Sequence, residues 1–261
     1  MIGVFDSGLG GLSVLSAIAR ARPGAALLYL ADTAHIPYGS KSDDFIRARV
    51  LAIGRHLVDR GCSTVVVACN TATAAALQAL REQHRDIAVV GVEPGVKPAA
   101  AATRSGVIAV LATESTANSA RLRQLVRDHA SGVTVHVEAC PGWATRIEML
   151  ELDDSALAAE IAAKIVPLLD AGADRVVLGC THYSFLTPLL QALIAGRAEV
   201  VDVADAVARR VLQLSAAIEQ HDGRLDLLAT ANPERLSAAL PALGLGWLLA
   251  RARGPAQLAT I

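Results

Sequence analysis

Two cysteines stand at the ends of two similar apolar segments, and each is followed by polar residues. The first occurs in Cys69-Asn70-Thr71 and the second in Cys180-Thr181-His182. A thiol between a strand and the N-terminus of the next helix has its pKa lowered by the helix dipole. The neighbouring hydroxyl, amide and backbone N–H groups can hold a carboxylate. The pattern therefore predicts thiol chemistry on a ligand that carries a carboxylate.

Three chemistries fit a pair of cysteines, and we favour proton transfer. A disulfide redox pair is one alternative, but the polar surroundings resemble a ligand cradle more than a redox motif. A Cys–His nucleophile is another, but it leaves the second cysteine unexplained. In two-base proton transfer, one thiolate removes a proton from one face of a carbon and the opposite thiol returns one to the other face. This logic is typical of a racemase or an epimerase.

An internal repeat relates the two cysteines. Residues 59–69 align with residues 170–180 without a gap, at an offset of 111, and the same offset superposes the Val-rich segments 89–96 and 200–207. Chance similarity between Val-rich strands is the alternative explanation. We interpret the repeat as two similar α/β lobes that are related by pseudo-two-fold symmetry.

The elements that must position these residues alternate along the chain. Short β-branched runs predict strands at 1–5, 26–31, 64–68, 87–92, 107–111, 133–138, 174–179, 199–203 and, more weakly, 225–229. Periodic Ala/Leu/Arg-rich segments predict helices at 11–21, 43–60, 72–84, 115–129, 154–171, 185–195, 204–220 and 233–243. The alternation predicts an α/β fold of doubly wound parallel sheets, which bind ligands at the carboxyl ends of their strands.

Composition excludes several classes of protein. With 53% hydrophobic and 19% charged residues, the chain is not disordered. The net charge of −1 gives no overall field for nucleic acid or an anionic membrane. The apolar stretch 238–250 is too short to span a membrane, and the N-terminus has no basic region of a signal peptide. We expect reduced thiols, no metal site, and neither nucleic acid nor membrane as a partner.

The glycine-rich segment 6–11 follows the first strand and allows two interpretations. It resembles a dinucleotide fingerprint, with Asp32 at the distance of a ribose contact. However, Ser13 stands where that motif has its third glycine, and an ionised Asp6 would repel a pyrophosphate. We favour a tight turn that directs Asp6 and Ser7 toward a ligand crevice.

Further residues are candidates for assisting the thiols. His182 can tune Cys180 as an acid or base, or it is a structural histidine. Asp6 can assist Cys69 in the same way. Glu148 is a weaker candidate, because a solvated helix carboxylate is the alternative.

Tyr38 and Gly39 lie in a predicted loop. They can offer a hydroxyl and a backbone N–H to a ligand, or they only form a turn. Among the remaining cysteines, Cys62 is expected in the core, and no chemistry is assigned to Cys140.

Together these segments resemble the glutamate racemases of the cofactor-independent Asp/Glu racemase superfamily. The resemblance weakens beyond residue 205, and the C-terminal segment 247–261 carries no family motif. The matching segments occur in family order at 3–15, 31–39, 66–72, 91–99, 111–116, 140–141 and 178–186.

The resemblance implies interconversion of L- and D-glutamate without pyridoxal phosphate or a metal. It makes Cys69 and Cys180 the two acid/bases, Asp6 and His182 their assistants, and Glu148 a further candidate at the position of a family glutamate. The implied substrate-binding residues are Asp6, Ser7, Tyr38, Gly39, Asn70, Thr71, Thr113, Thr116, Thr181 and His182.

The resemblance also implies an architecture and a cellular role. The active site is expected between two lobes, 1–95 plus 207–261 and 96–206. Glutamate is expected as the small-molecule substrate, and the product D-glutamate would supply peptidoglycan synthesis in a bacterial cytoplasm. A homodimer is compatible with the family.

Other functions stay open at this point. They are an NAD(P)-dependent oxidoreductase, an amino-acid-binding protein without catalysis, and a racemase for aspartate, another amino acid or a cyclic derivative. The aspartate racemases carry Glu after the second Cys-Thr and lack the Asp-Ser start. Asp6, Ser7 and His182 therefore favour glutamate.

Overall fold

The computed structural model describes residues 1–152, 154–215 and 222–261. The chain divides into two compact units, which we call unit 1 (Met1–Val92 and Ala204–Ile261) and unit 2 (Glu93–Val203). The boundaries expected from the sequence, 95/96 and 206/207, lie three residues C-terminal to these divisions. Unit 2 is one continuous stretch, whereas unit 1 is built from both ends of the chain.

The strands follow the predicted β-branched runs closely. The described strands are β1 (Ile2–Asp6), β2 (Leu27–Ala31), β3 (Thr64–Val67), β4 (Ala88–Gly91), β5 (Val107–Ala112), β6 (Thr134–Ala139), β7 (Arg175–Gly179), β8 (Glu199–Val201), β9 (Leu225–Ala229) and β10 (Gln257–Leu258). Only β10 among these has no counterpart in the sequence-based prediction.

Helices fill the intervals between the strands. The described α-helices are α1 (Leu12–Ala21), α2 (Asp43–Asp59), α3 (Asn70–Gln83), α4 (Val96–Ala102), α5 (Glu114–Ala117), α6 (Ala120–His129), α7 (Trp143–Glu148), α8 (Ser155–Asp170), α9 (Thr187–Ile194), α10 (Ala204–Leu214) and α11 (Pro233–Ala242). Short 3-10 turns occur at Thr33–His35, Tyr38–Ser40, Thr181–Leu186 and Gly246–Arg251.

Several helices differ from their predicted extents. The predicted helix 115–129 is divided, because Thr113 and Ser119 each accept a backbone N–H and so begin separate helices. The predicted helix 185–195 has a 3-10 turn before α9. Helices α4 and α7 were not predicted. The last residues of the predicted helix 204–220, 216–220, lie outside the described residues.

Unit 1 contains a parallel sheet with the strand order β10-β9-β2-β1-β3-β4. Residues of β1, β2 and β3 are buried throughout, as expected for parallel strands covered on both faces. Asp6 is paired with Ala31, and Phe5 with Val67. Because the strands are parallel and in register, the residues that follow them, including Asp32 and Cys69, emerge at the same edge of the sheet.

Unit 2 contains a parallel sheet with the order β6-β5-β7-β8. This order repeats the arrangement β2-β1-β3-β4 of unit 1, strand for strand. β3 and β7 therefore hold the same place in their sheets, and Cys69 and Cys180 follow these strands by two residues and one residue. The predicted α/β fold of two similar parallel-sheet lobes is confirmed.

Each unit has its own buried apolar cluster. The cluster of unit 1 includes Phe5, Tyr38, Val67 and Cys69, and Ile261 packs against it. The cluster of unit 2 is built around strand residues such as Val110 and Val177. Within the described ranges, no helix combines the length and the apolar character needed to cross a membrane.

Candidate active site

The turn between β3 and α3 places the Cys69 thiol at a helix N-terminus. Cys69 has extended backbone angles and directly precedes α3, and only 6% of the residue is exposed. The Thr73 hydroxyl donates to the Val67 carbonyl (3.2 Å) and accepts from the Val92 N–H (3.1 Å). This hydroxyl thus ties the first turn of the helix to the ends of β3 and β4. Positive helix-terminal charge lies where it favours a thiolate.

A hydroxyl and a carboxylate lie beside Cys69. The Ser7 Oγ is 3.9 Å from the Cys69 Sγ and 3.5 Å from the Asp6 Oδ1. Asp6 is fully buried, and its Oδ2 accepts the N–H of Gly11 at 2.8 Å. A Cβ on Gly11 would lie 2.6 Å from the Asp6 Cβ. The glycine at this position therefore leaves room for the buried Asp6 side chain.

The second thiol lies beside a chain of ionisable groups. The Cys180 Sγ is 3.6 Å from the His182 Nδ1, and the His182 Nε2 is 2.5 Å from the Glu148 Oε1. Cys180 and His182 are buried, and Glu148, at the end of α7, is largely covered. Glu148 is therefore a partner of His182, and its alternative interpretation as a solvated helix carboxylate is wrong.

This chain of groups sets the protonation state of His182. Burial by itself lowers the pKa of His182, but the hydrogen bonds with Cys180 and Glu148 outweigh burial and raise the pKa well above its ordinary 6.5. A histidine held protonated between a carboxylate and a thiol stabilises the thiolate form of that thiol. The arrangement can therefore supply a base at the end of β7.

A second contact fixes the turn that carries His182. The Tyr183 hydroxyl donates to the Cys140 carbonyl at 3.1 Å, and the Tyr183 ring lies edge-on against Trp143 with centroids 5.4 Å apart. Because Trp143 opens α7 and Glu148 closes it, these contacts hold α7 against the turn after β7. The role of Tyr183 was not evident from the sequence.

The other two cysteines are not poised for chemistry. Burial raises the pKa of the Cys62 thiol to about 12, and it does the same for Cys140. Both residues are buried, and Cys62 belongs to the core cluster of unit 1. These two thiols therefore stay neutral at physiological pH.

The structure distributes the predicted substrate-binding residues over the two units. Asp6, Ser7, Tyr38, Gly39, Asn70 and Thr71 belong to unit 1, and Thr113, Thr116, Thr181 and His182 belong to unit 2. The Asn70 Nδ2 donates to the Val92 carbonyl at 3.5 Å. The Thr113 hydroxyl donates to that of Thr116 at 3.1 Å. Most of these residues lie at the ends of β1, β3, β5 and β7, whereas Tyr38 and Gly39 follow β2.

The Tyr38 hydroxyl is engaged with a buried carboxylate of its own unit. It donates to the Asp32 Oδ2 at 2.6 Å, and the residue is 1% exposed. Burial and the Asp32 carboxylate raise the pKa of Tyr38 far above its ordinary value, so the phenol keeps its proton. Because this proton is given to Asp32, the hydroxyl oxygen is left to accept a hydrogen bond, and the contact of Tyr38 with a ligand stays a prediction.

Asp32 itself is a buried centre of hydrogen bonds that sequence reasoning missed. Besides Tyr38, it accepts from Arg49 (Nη2 to Oδ1, 2.7 Å) and from the Thr230 hydroxyl (2.9 Å). Burial by itself raises its pKa, but the hydrogen bonds and the Arg49 charge outweigh burial and hold the pKa below the ordinary 3.8. A carboxylate engaged in this way is not available to a ribose, which removes one support for the dinucleotide interpretation.

No metal centre can be assembled from the side chains that the structure describes. Residues 1–152, 154–215 and 222–261 contain no group of three or more His, Cys, Asp and Glu side chains that is arranged to hold an ion.

Comparison with known proteins identifies the family. Residues 2–211 match the model of the Asp/Glu/Hydantoin racemase family. The glutamate racemase of Ectopseudomonas mendocina is 46% identical over 253 residues, which cover 93% of this chain and 94% of that protein.

Solved structures give the same result. The fold matches Escherichia coli glutamate racemase in complex with L-glutamate and the activator UDP-MurNAc-Ala, with a TM-score of 0.86, 31% identity and coverage of 100% of this chain and 98% of the other. It also matches the glutamate racemase isoform RacE1 of Bacillus anthracis, with a TM-score of 0.86, 28% identity and coverage of 100% and 97%. From its sequence, its fold and the residues at its two strand ends, this chain belongs to the Asp/Glu/Hydantoin racemase family and is a racemase, an enzyme of the isomerase class.

Proposed function

We propose that this racemase interconverts L-glutamate and D-glutamate by two-base proton transfer between Cys69 and Cys180. The observation that carries the proposal is the equivalent placement of two thiols after β3 and β7, each with polar groups beside it. The glutamate racemases at 46% identity support glutamate as the small-molecule substrate.

In the proposed reaction, one cysteine starts as a thiolate and the other as a thiol. The thiolate takes the α-proton, so that the Cα–H bond breaks and an S–H bond forms. The electron pair is delocalised onto the substrate carboxylate. The opposite thiol then gives its proton to the other face of Cα, which inverts the centre. Turnover in the reverse direction begins from the opposite protonation state.

The α-proton is a very weak acid and a thiol has an ordinary pKa of about 8.5, so the site must stabilise the charge that develops. Backbone N–H groups and the side chains of Asn70, Thr71, Thr113 and Thr181 are the proposed donors to the substrate carboxylates. Ser7 and Asp6 assist Cys69, whereas His182 and Glu148 assist Cys180. The backbone of Gly39 completes the proposed site, and Thr116 supports Thr113.

No pyridoxal phosphate or metal takes part in this scheme. Racemisation is therefore expected to persist after treatment with a chelator and in protein without absorbance from a bound cofactor. Loss of activity on chelation, restored by a metal ion, would contradict this part of the proposal.

The proposed cellular role follows from the product. D-Glutamate is a component of bacterial peptidoglycan, so the enzyme would supply cell-wall synthesis from the cytoplasm. Complementation of a bacterial strain that requires external D-glutamate tests this role, with the Cys69→Ala, Cys180→Ala double variant as the control. A homodimer is compatible with the proposal, and light scattering of the purified protein would measure the assembly.

Proton NMR of purified protein with L-glutamate in D2O tests the reaction directly. We expect the α-proton signal to disappear while the circular dichroism of the same sample decays to zero. The double cysteine variant controls for a contaminating racemase. Exchange with aspartate but not with glutamate would replace the proposed substrate. Binding of glutamate without exchange would indicate a binding protein.

A further inference from the structure

The side chain of Arg49, on α2, joins two separate parts of unit 1. Its Nε and Nη2 donate to the two oxygens of Asp32 at 3.1 and 2.7 Å. Its Nη1 donates to the backbone oxygen of Ile261 at 3.0 Å. The Arg49 side chain is only 13% exposed and that of Asp32 is fully buried. The guanidinium thus links Asp32 to the segment 256–261.

On its other side, Asp32 holds the loop 33–40. It accepts the Tyr38 hydroxyl at 2.6 Å and faces the His35 Nδ1 at 3.1 Å. The Thr230 hydroxyl donates to the same carboxylate and also accepts the Ala34 N–H at 3.0 Å. Both halves of the loop therefore depend on one carboxylate for their position.

The segment 256–261 is itself fixed to the sheet. β10 pairs with β9, and the Ala259 N–H donates to the Ala229 carbonyl at 2.8 Å. The Ala256 N–H donates to the Ser237 hydroxyl at 2.8 Å. Ile261 packs against the apolar cluster that contains Tyr38 and Cys69. Hydrogen bonds and packing thus attach to the rest of unit 1 the segment whose last backbone oxygen accepts from Arg49.

We propose that Arg49 is a positioning residue for the substrate-binding loop, which ties Tyr38 and Gly39 through Asp32 to the segment 256–261. The inference rests on the proposed function, in which the backbone of this loop contacts glutamate. Without the guanidinium, the buried Asp32 carboxylate loses its arginine, and protonation, entry of water or a shift of its remaining partners His35, Tyr38 and Thr230 must compensate. Each of these changes loosens the loop, and a displacement of about 1 Å in a positioning group can cost up to about 100-fold in rate.

Kinetics of Arg49→Met test this role. We expect KM for both enantiomers to rise about tenfold or more, with a smaller change in kcat, because the loop binds substrate and transfers no proton. Arg49→Lys keeps the charge and one hydrogen bond and should recover part of the loss. Arg47→Met is the matched control, since Arg47 is an exposed arginine on the same helix.

Amide hydrogen exchange gives a readout that does not depend on activity. In the protein without substrate, Arg49→Met should speed exchange across residues 33–40, while exchange in β5 and β7 of unit 2 stays unchanged. If Arg49→Met does not fold, the double variant Arg49→Met, Asp32→Asn removes the buried charge and is measured instead. A wild-type KM together with wild-type exchange of the loop, in whichever of these variants folds, would overturn the inference.

The two proposals fail in different ways. A wild-type protein that does not racemise glutamate overturns the proposed function, and the exchange experiment still tests Arg49. A wild-type protein that is active, with Arg49→Met indistinguishable from Arg47→Met, overturns only the role of Arg49.

Discussion

The two thiol sites share a position in the fold but differ in what surrounds the sulfur. Cys69 lies next to the Ser7 hydroxyl, whereas Cys180 lies next to a histidine that a carboxylate holds protonated. Four strands follow the same order in both units, so the backbone repeat has been kept while the side chains beside each thiol have diverged. A repeat can thus fix where two bases stand without making them equal in strength.

Thermodynamics limits how this difference can appear. The two enantiomers of glutamate have equal free energy in water, so kcat/KM must be the same in both directions whatever the strength of each base. The asymmetry can appear in kcat and KM taken separately, in the isotope effect on each enantiomer, and in the response of these quantities to pH.

Removal of either thiol should have the largest effect. Cys69→Ser and Cys180→Ser should each lower the rate of racemisation by about 1,000-fold, because a serine hydroxyl is a far weaker acid than a thiol. Circular dichroism of each enantiomer measures the rate, and Cys62→Ala is the control for loss of a buried thiol. Near-wild-type activity in either serine variant would contradict the two-base scheme.

Loss of the ionisable partner of Cys180 should have the next largest effect. His182→Asn should lower kcat by about 100-fold, because the thiolate loses the cation beside it. Deprotonation by Cys180 then limits turnover of one enantiomer. The primary deuterium isotope effect, measured with each α-deuterated enantiomer, should rise for that enantiomer only. An equal rise for both would show that His182 serves the two thiols alike.

Loss of the hydroxyl beside Cys69 should have a smaller effect, and its isotope effect should appear with the other enantiomer. Ser7→Ala should lower kcat by about tenfold, which corresponds to one hydrogen bond of about 1.4 kcal/mol. The isotope effect should now rise for the enantiomer that His182→Asn leaves unchanged. If both variants affect the same enantiomer, Ser7 and His182 do not serve different thiols.

The smallest expected effects are changes in stability with pH, and these differ between the two units. The raised pKa of His182 adds stability that is complete below about pH 6.5 and is lost as the pH rises through the folded-state value. The lowered pKa of Asp32 adds stability that is present above about pH 3.8 and is lost as the pH falls through the folded-state value.

Denaturant unfolding at a series of pH values measures the contributions of His182 and Asp32 to stability. The free energy of unfolding of the wild type should fall relative to His182→Asn above pH 6.5, and relative to Asp32→Asn below pH 3.8. Parallel curves for wild type and variant in either range would contradict the assignment of that residue.

The sequence was sufficient for features that depend on local pattern. The strands and the shared offset of Cys69 and Cys180 follow from β-branched runs and a repeat, which need no knowledge of distant contacts. Side-chain contacts between residues far apart in the sequence could not be predicted from local pattern. Glu148 meets a histidine 34 residues away, and Arg49 meets an oxygen 212 residues away. No periodicity in one sequence indicates such a partner.

Helix boundaries failed for a different reason. The hydrophobic period continues through Ser119, so the prediction joined two helices that side-chain caps separate. α4 was missed because Pro98 near its start argues against a helix, although the first turn tolerates proline. β10 has two residues and therefore no alternation to detect. The sequence shows that Tyr38 offers a hydroxyl, but only the tertiary structure shows that Asp32 accepts its hydrogen bond.

The insertion of unit 2 within unit 1 has a consequence for biosynthesis. As the chain leaves the ribosome, residues 93–203 emerge as one uninterrupted stretch and can fold before unit 1 has received its last strands. Until β9 is translated, the edge of β2 that β9 covers in the finished protein has no neighbour. Exposed strand edges of this kind promote aggregation, so nascent chains that stop before residue 225 should depend most strongly on chaperones.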